Sequence, residues 1–170
     1  MNNNLLQLLR FVHIVSASVW VGIAVALGFF ISPAIVTGDV AGSRLIKRIM
    51  LEKKLGIWLP LVVVLAIVSG AWLYRIDFPS MTMANFSKRG LDYTLGAFLG
   101  IVAFIVGLTV NLPTGGKLAA LGDAVGSGTP TVEQSNEMAR LSRRLLISTR
   151  STAILALGAA ALMALARYAL

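Results

Sequence analysis

The amino-acid sequence predicts an all-α protein, a bundle of four transmembrane helices, and three observations predict it. Hydrophobic residues make up 57% of the chain and charged residues only 13%, against roughly 25% charged in soluble domains. A water-soluble fold of 170 residues keeps much of its surface exposed and cannot hide so much apolar area. Apolar runs of about 20 residues, the length that crosses a bilayer as a helix, occur four times. Finally, lysine and arginine gather in two of the connections between those runs.

The first span is expected at about residues 5–31. Arg10 and His13 interrupt it and Pro33 helps to end it. Met1-Asn2-Asn3-Asn4 lacks the basic opening of a signal peptide, and the apolar run exceeds the usual ~7–15 residues of such a peptide. The run is therefore read as a retained transmembrane helix. From Gly42 to Lys54 the chain reads as a short basic, amphipathic helix leading into span two. Leu45, Ile46, Ile49 and Met50 are its apolar residues, and Lys47, Arg48, Lys53 and Lys54 its basic ones.

Span two is expected at about residues 55–76, with Pro60 kinking its first turns. Span three covers about residues 91–112 and is expected to stop at Pro113-Thr114-Gly115-Gly116. After the glycine-rich stretch from Gly122 to Gly128, a helix starts near Pro130. Either Thr129 caps it with Pro130 as first helical residue, or Thr131 and Gln134 form a capping box. It runs through Arg140, Arg143, Arg144 and Arg150 into span four, about residues 145–170. The result is one helix of about 40 residues with a long cytoplasmic extension. The whole chain, residues 1–170, reads as one membrane domain.

Orientation follows from the basic residues, which favour the cytoplasmic side in short loops. Arg44, Lys47, Arg48, Lys53 and Lys54 lie between spans one and two. Lys117, Arg140, Arg143, Arg144 and Arg150 lie between spans three and four. Only Arg10, Arg75, Lys88, Arg89 and Arg167 fall on the other side. Both termini are thus expected outside, in the periplasm of a bacterial inner membrane. Trp72, Tyr74, Tyr93 and Tyr168 would sit in the outer interfacial belt.

The net charge of +8 fits anionic lipid head groups beside the spans; no nucleic-acid recognition motif accompanies it. The chain has no cysteine, which excludes disulfides, thiolate metal sites and cysteine nucleophiles. Gly96-x-x-x-Gly100, followed by Gly107, lets helix backbones approach closely. It serves either internal packing or an interface with a second copy or another membrane subunit. Ala156, Ala160 and Ala164 offer a similar small face on span four.

The candidate site is built on His13, the one histidine. An ionisable group inside a membrane span is costly, which makes it a functional candidate. His13, Ser16 and Trp20 share one helix face, and His13 lies ~12 Å below the outer surface. One reading is a structural histidine bonded to a neighbouring helix. The other is a ligand, since neutral imidazole is the commonest metal-binding side chain. A single histidine excludes bis-histidine haem within one chain. Met163, expected at a similar depth, would complete a His–Met pair for haem b, with Arg10, Arg75 or Arg167 meeting the propionates. Alternatively, Met81-x-Met83 offers soft sulfurs to Cu(I). Methionines in apolar spans are, however, commonly gap-fillers, and a chain with no cofactor fits equally.

Other chemistry is sparse. No carboxylate pair lies inside a span, as a proton pump requires. Asp77 and Asp92, at span ends, are expected to pair with Arg75 or Arg167. Gly122 to Gly128 lacks the lysine of a phosphate-binding loop, and the spans lack matched interruptions of the inverted-repeat kind. Ser148, Thr149, Ser151 and Thr152 read as helix-packing hydroxyls.

The run His13-Ile14-Val15-Ser16-Ala17-Ser18-Val19-Trp20-Val21-Gly22 resembles the first helix of small bacterial membrane proteins of the copper-resistance D (CopD) family. A broader set, including haem-binding protoporphyrinogen oxidases of the HemJ type, shares it. Arg44-Leu45-Ile46-Lys47-Arg48-Ile49-Met50 and Ser69-Gly70 look like the second-helix entry of that set. The resemblance covers about half the chain. It implies a four-helix bundle, copper handling or haem-linked redox chemistry in the inner membrane, and His13 as a ligand. Those oxidases use further histidines and a lysine in span three, where this chain has Asp92-Tyr93-Thr94 at the start. The reading is therefore a non-enzymatic haem- or copper-associated component, or an accessory subunit of a redox or photosynthetic complex. A small copper transporter and a haem-dependent oxidoreductase are the alternatives.

Overall fold

A computed structural model describes residues 3–35, 39–78 and 87–168. Every regular element among them is helical. Four helices are long and apolar enough to cross a membrane: α1 (Asn3–Ala34), α3 (Leu55–Asp77), α4 (Lys88–Val125) and α5 (Val132–Ala166). A short α2 (Val40–Lys47) precedes α3 and continues as a widened π turn over Arg48–Glu52. This is the architecture of a multi-pass membrane protein. Phe11, Phe30, Trp58, Phe98 and Leu165 are each 61 to 70% exposed. Large side chains of that kind on several faces suit lipid, not water.

The helices form two tight pairs, α1 with α3 and α4 with α5, and α1 also packs along α5. The seam between α3 and α4 is the loosest of the four. Trp20, Val63 and Ala103 bring α1, α3 and α4 together in mid-bundle. Nearer the connections, Leu27, Ile35, Ile46, Met50, Leu118, Met138, Leu141 and Leu145 form a larger core.

Two helices run past the stops their prolines suggest. Span one does not end at Ile31 but continues through Pro33 to Ala34, and span three passes Pro113 and reaches Val125. The reason is the same in both. A π turn precedes each proline, Ala26–Ile31 and Gly107–Asn111. Ser32 donates to the carbonyl of Leu27, and Leu112 to that of Gly107, each five residues back. Proline has no N–H to give and its ring crowds the carbonyl four residues back. The i→i+5 register widens the turn at that point, and the helix resumes. The stretch from Leu112 to Val125, including much of the glycine-rich segment expected as a loop, is helix.

That extension is held by α2. Asp39 caps α2, its Oδ1 accepting from the Gly42 N–H at 2.7 Å. Gly42, Ser43 and Ile46 are buried, while Arg44 and Leu45 are exposed; Leu45 therefore does not join the buried face. Gly122 of α4 lies so close to Ser43 that a Cβ would overlap its side chain. Arg44 donates to the Gly126 carbonyl, and Lys47 Nζ lies 2.8 Å from Asp123. The Asp123 carboxylate holds the Lys47 ammonium pKa above its ordinary value.

The second of the two caps considered for the last helix is the one formed. Gln134 N–H donates to Thr131 Oγ1 at 3.2 Å, and Thr131 N–H donates to Gln134 Oε1 at 2.9 Å. The resulting α5 has 35 residues, about 52 Å at 1.5 Å per residue. Its buried alanines are Ala153, Ala156, Ala159 and Ala166, whereas Ala160 and Ala164 are exposed; the small face is rotated from the one the four-residue spacing suggests.

Candidate functional site

His13 sits on α1 with its ring against α3. Nδ1 lies 2.8 Å from the carbonyl oxygen of Ala66. A carbonyl only accepts, so Nδ1 carries the hydrogen and a neutral ring keeps its lone pair on Nε2. The ring fills a notch left by Gly70, one turn further along α3. A Cβ at Gly70 would lie 2.6 Å from Cε1 and 2.9 Å from Nδ1, inside any tolerable contact. Ala66 and Gly70 are seven to eleven residues from Asp77 at the helix end, which sets the ring ~10–16 Å below that end at 1.5 Å per residue.

The face shared by His13, Ser16 and Trp20 is the one α1 turns inward. His13 is half-buried, and Ser16 and Trp20 are buried. Ser16 Oγ bonds back to the Val12 and His13 carbonyls within its own helix, which satisfies a hydroxyl in an apolar setting. Trp20 reaches across the bundle towards Gly100.

Met163 packs on Gly96 of α4, where a Cβ would lie 2.9 Å from its Cγ. Both Gly96 and Gly100 are buried within the chain, Gly96 against Met163 and the Ala159 backbone, Gly100 towards Trp20 and Ala159. Arg10 and Arg167 are exposed. Met81 and Met83 lie outside the described residues. Asp77 pairs with Arg89 at 3.4 Å, not with Arg75 or Arg167, and no ion pair to Asp92 is found among the described residues. Around that pair, Tyr74 Oη bonds Thr94 Oγ1 at 2.8 Å and the Arg89 guanidinium lies over the Tyr93 ring.

Among the described residues, no three His, Cys, Asp or Glu side chains come together as a metal site. The donor chemistry on offer is thus one imidazole and scattered thioethers.

A second polar feature escaped the sequence reading. Asn111, near the end of the π turn in α4, donates from Nδ2 to Thr152 Oγ1 at 3.0 Å. Its Oδ1 is the one buried side-chain nitrogen or oxygen without a partner among the described residues. A polar amide inside span three, two residues before Pro113, was the available signal.

No family model, curated protein or solved structure matches the chain.

Proposed function

We propose that the chain is a multi-pass protein of a bacterial inner membrane, with both termini in the periplasm. It is a non-enzymatic component of a redox or photosynthetic membrane complex, and it holds haem or copper through His13 Nε2. One observation carries the reading: the Nδ1 bond to the Ala66 carbonyl. Metal-ligating histidines commonly donate their other ring N–H to a carbonyl or carboxylate, which fixes the tautomer and raises ligand basicity. A bound haem or copper would supply one-electron chemistry. The chain's own part is to orient the imidazole and exclude water. A thioether would provide the second ligand, Met163 for haem or the Met81-x-Met83 pair for Cu(I), with Arg10 and Arg167 available to haem propionates.

The Gly70 notch favours a second reading, in which the ring is a lock between α1 and α3. The chain is then a cofactor-free accessory subunit. The visible spectrum and metal content of detergent-purified protein separate the two. The first reading expects a haem band or stoichiometric copper that His13→Ala removes. A colourless, metal-free preparation overturns it and leaves the accessory subunit, which expects co-purifying membrane partners. Turnover of a porphyrinogen or a quinol by the isolated protein would overturn both.

A further inference from the structure

An open groove of about 700 Å³ lies along the exposed face of α5, where that helix meets α4. Val110 forms its α4 wall, and Arg140, Arg143, Arg144, Ile147 and Ser148 line it along α5. It shares no residue with the His13 site and does not depend on what that site holds.

The groove crosses the edge of the hydrocarbon. α3 begins at Leu55, directly after Lys53 and Lys54, and a Cβ at its second residue, Gly56, would lie 3.2 Å from Leu112 of α4. Leu112 therefore marks the level at which the apolar spans begin on this side. Val110 lies just inside that level and shares the groove with Ile147 and Ser148. Arg143 and Arg144 stand one turn earlier on α5, ~6 Å closer to the head groups, and Arg140 is about one turn further out. One end of the groove is apolar and the other is cationic.

The charges at the cationic end are unequally answered. Glu137 holds the Arg140 guanidinium by two bonds of 2.6 and 2.7 Å. Arg143 and Arg144 are exposed, and no ion pair reaches either among the described residues. A guanidinium presents paired donors that match a phosphate, and basic clusters beside a membrane span attract anionic lipids.

We propose that this groove binds one anionic phospholipid, its phosphate on Arg143 and Arg144 and an acyl chain against Val110 and Ile147. A water-soluble anion would use only the cationic end. No carboxylate is among the lining residues, so the ammonium of a zwitterionic head group finds no partner in the groove wall.

Native mass spectrometry of the detergent-purified full-length protein counts bound lipids directly. The protein is titrated with dioleoyl phosphatidylglycerol and with dioleoyl phosphatidylcholine, which share their acyl chains. The proposal expects one phosphatidylglycerol to be retained at a roughly ten- to thirty-fold lower concentration, as two arginines near a lipid surface provide. Arg143→Gln with Arg144→Gln should abolish that preference. Arg48→Gln with Lys53→Gln removes two exposed charges outside the groove and should keep it. Equal retention of the two lipids, or an equal loss of preference in both double variants, would overturn the proposal. So would displacement of the lipid by glycerol phosphate at concentrations similar to the lipid's own, which would assign the arginines to a soluble anion. If the Arg143, Arg144 double variant does not fold, each single variant should still lose several-fold in preference, and no loss in either would overturn the site.

Discussion

His13 and Gly70 fit as ring and notch: the imidazole of α1 occupies the volume that any side chain at Gly70 of α3 would claim. Neither residue is replaceable alone without consequence to the other. Gly70→Ala must push the ring away from the Ala66 carbonyl or part the helices. Overpacking of this kind costs about 1–3 kcal/mol. The double variant Gly70→Ala, His13→Ala should recover much of that loss, because the clash has no second partner. Thermal unfolding in detergent across the four proteins of the cycle measures the coupling. Additive effects would show that the ring and the notch are independent.

At the opposite end of the bundle, Gly122 stands against Ser43 in the same manner. Gly122→Ala should loosen α2 from α4 by about 1–3 kcal/mol, and Ser43→Gly in the same chain should restore most of it. The ion pair beside it matters far less. Lys47 and Asp123 are substantially exposed, and solvent-screened pairs of this kind contribute little to stability. The carboxylate raises the Lys47 pKa, so this small contribution is complete below the ordinary lysine pKa of about 10.4. It fades as pH rises through the higher folded value. Unfolding of Lys47→Met and the parent protein should therefore differ little at neutral pH and converge in strong alkali. A loss from Lys47→Met as large as that from Gly122→Ala would contradict this ranking.

Hydroxyls inside the bundle make modest contributions. Thr149 Oγ1 lies 2.9 Å from Ser32 Oγ and also bonds the Leu145 carbonyl. Side-chain hydrogen bonds between membrane helices average about 0.6 kcal/mol. Thr149→Val keeps the shape and leaves Ser32 to bond elsewhere, so a loss of about 0.5–1 kcal/mol is expected. A loss several times larger would mean that Ser32 is stranded and that the α1–α5 contact depends on this bond.

The four spans were legible because hydrocarbon length and hydropathy leave few alternatives, and the inward face of α1 followed from the spacing of His13, Ser16 and Trp20. What the sequence hid is of another kind. Pro113-Thr114-Gly115-Gly116 has the composition of a stop, yet Thr114 and Gly115 are buried in a continuing helix. The widened turn before Pro113 absorbs the ring, and packing against α2 offsets the poor helix propensity of glycine. The partner of His13 was equally hidden. It is a backbone carbonyl, and every residue of a facing helix carries one. Asn111 became informative only when its bonding with Thr152, 41 residues away, left one acceptor over.

Orientation can be tested by labelling, because the chain has no cysteine to remove. Gly128, in the connection before α5, and Tyr168, just after it, are both exposed. The basic residues gather at the end of the bundle where Gly128 lies, and short basic loops stay cytoplasmic. In intact cells whose outer membrane is permeable to the reagent, a charged maleimide should therefore label Tyr168→Cys. It should reach Gly128→Cys only after the inner membrane is broken. The reverse pattern would put the termini inside. His13, ~15 Å from the amino-terminal end of α1 by helix rise, would then lie nearer the cytoplasm, and any ligand it holds would be supplied from that side.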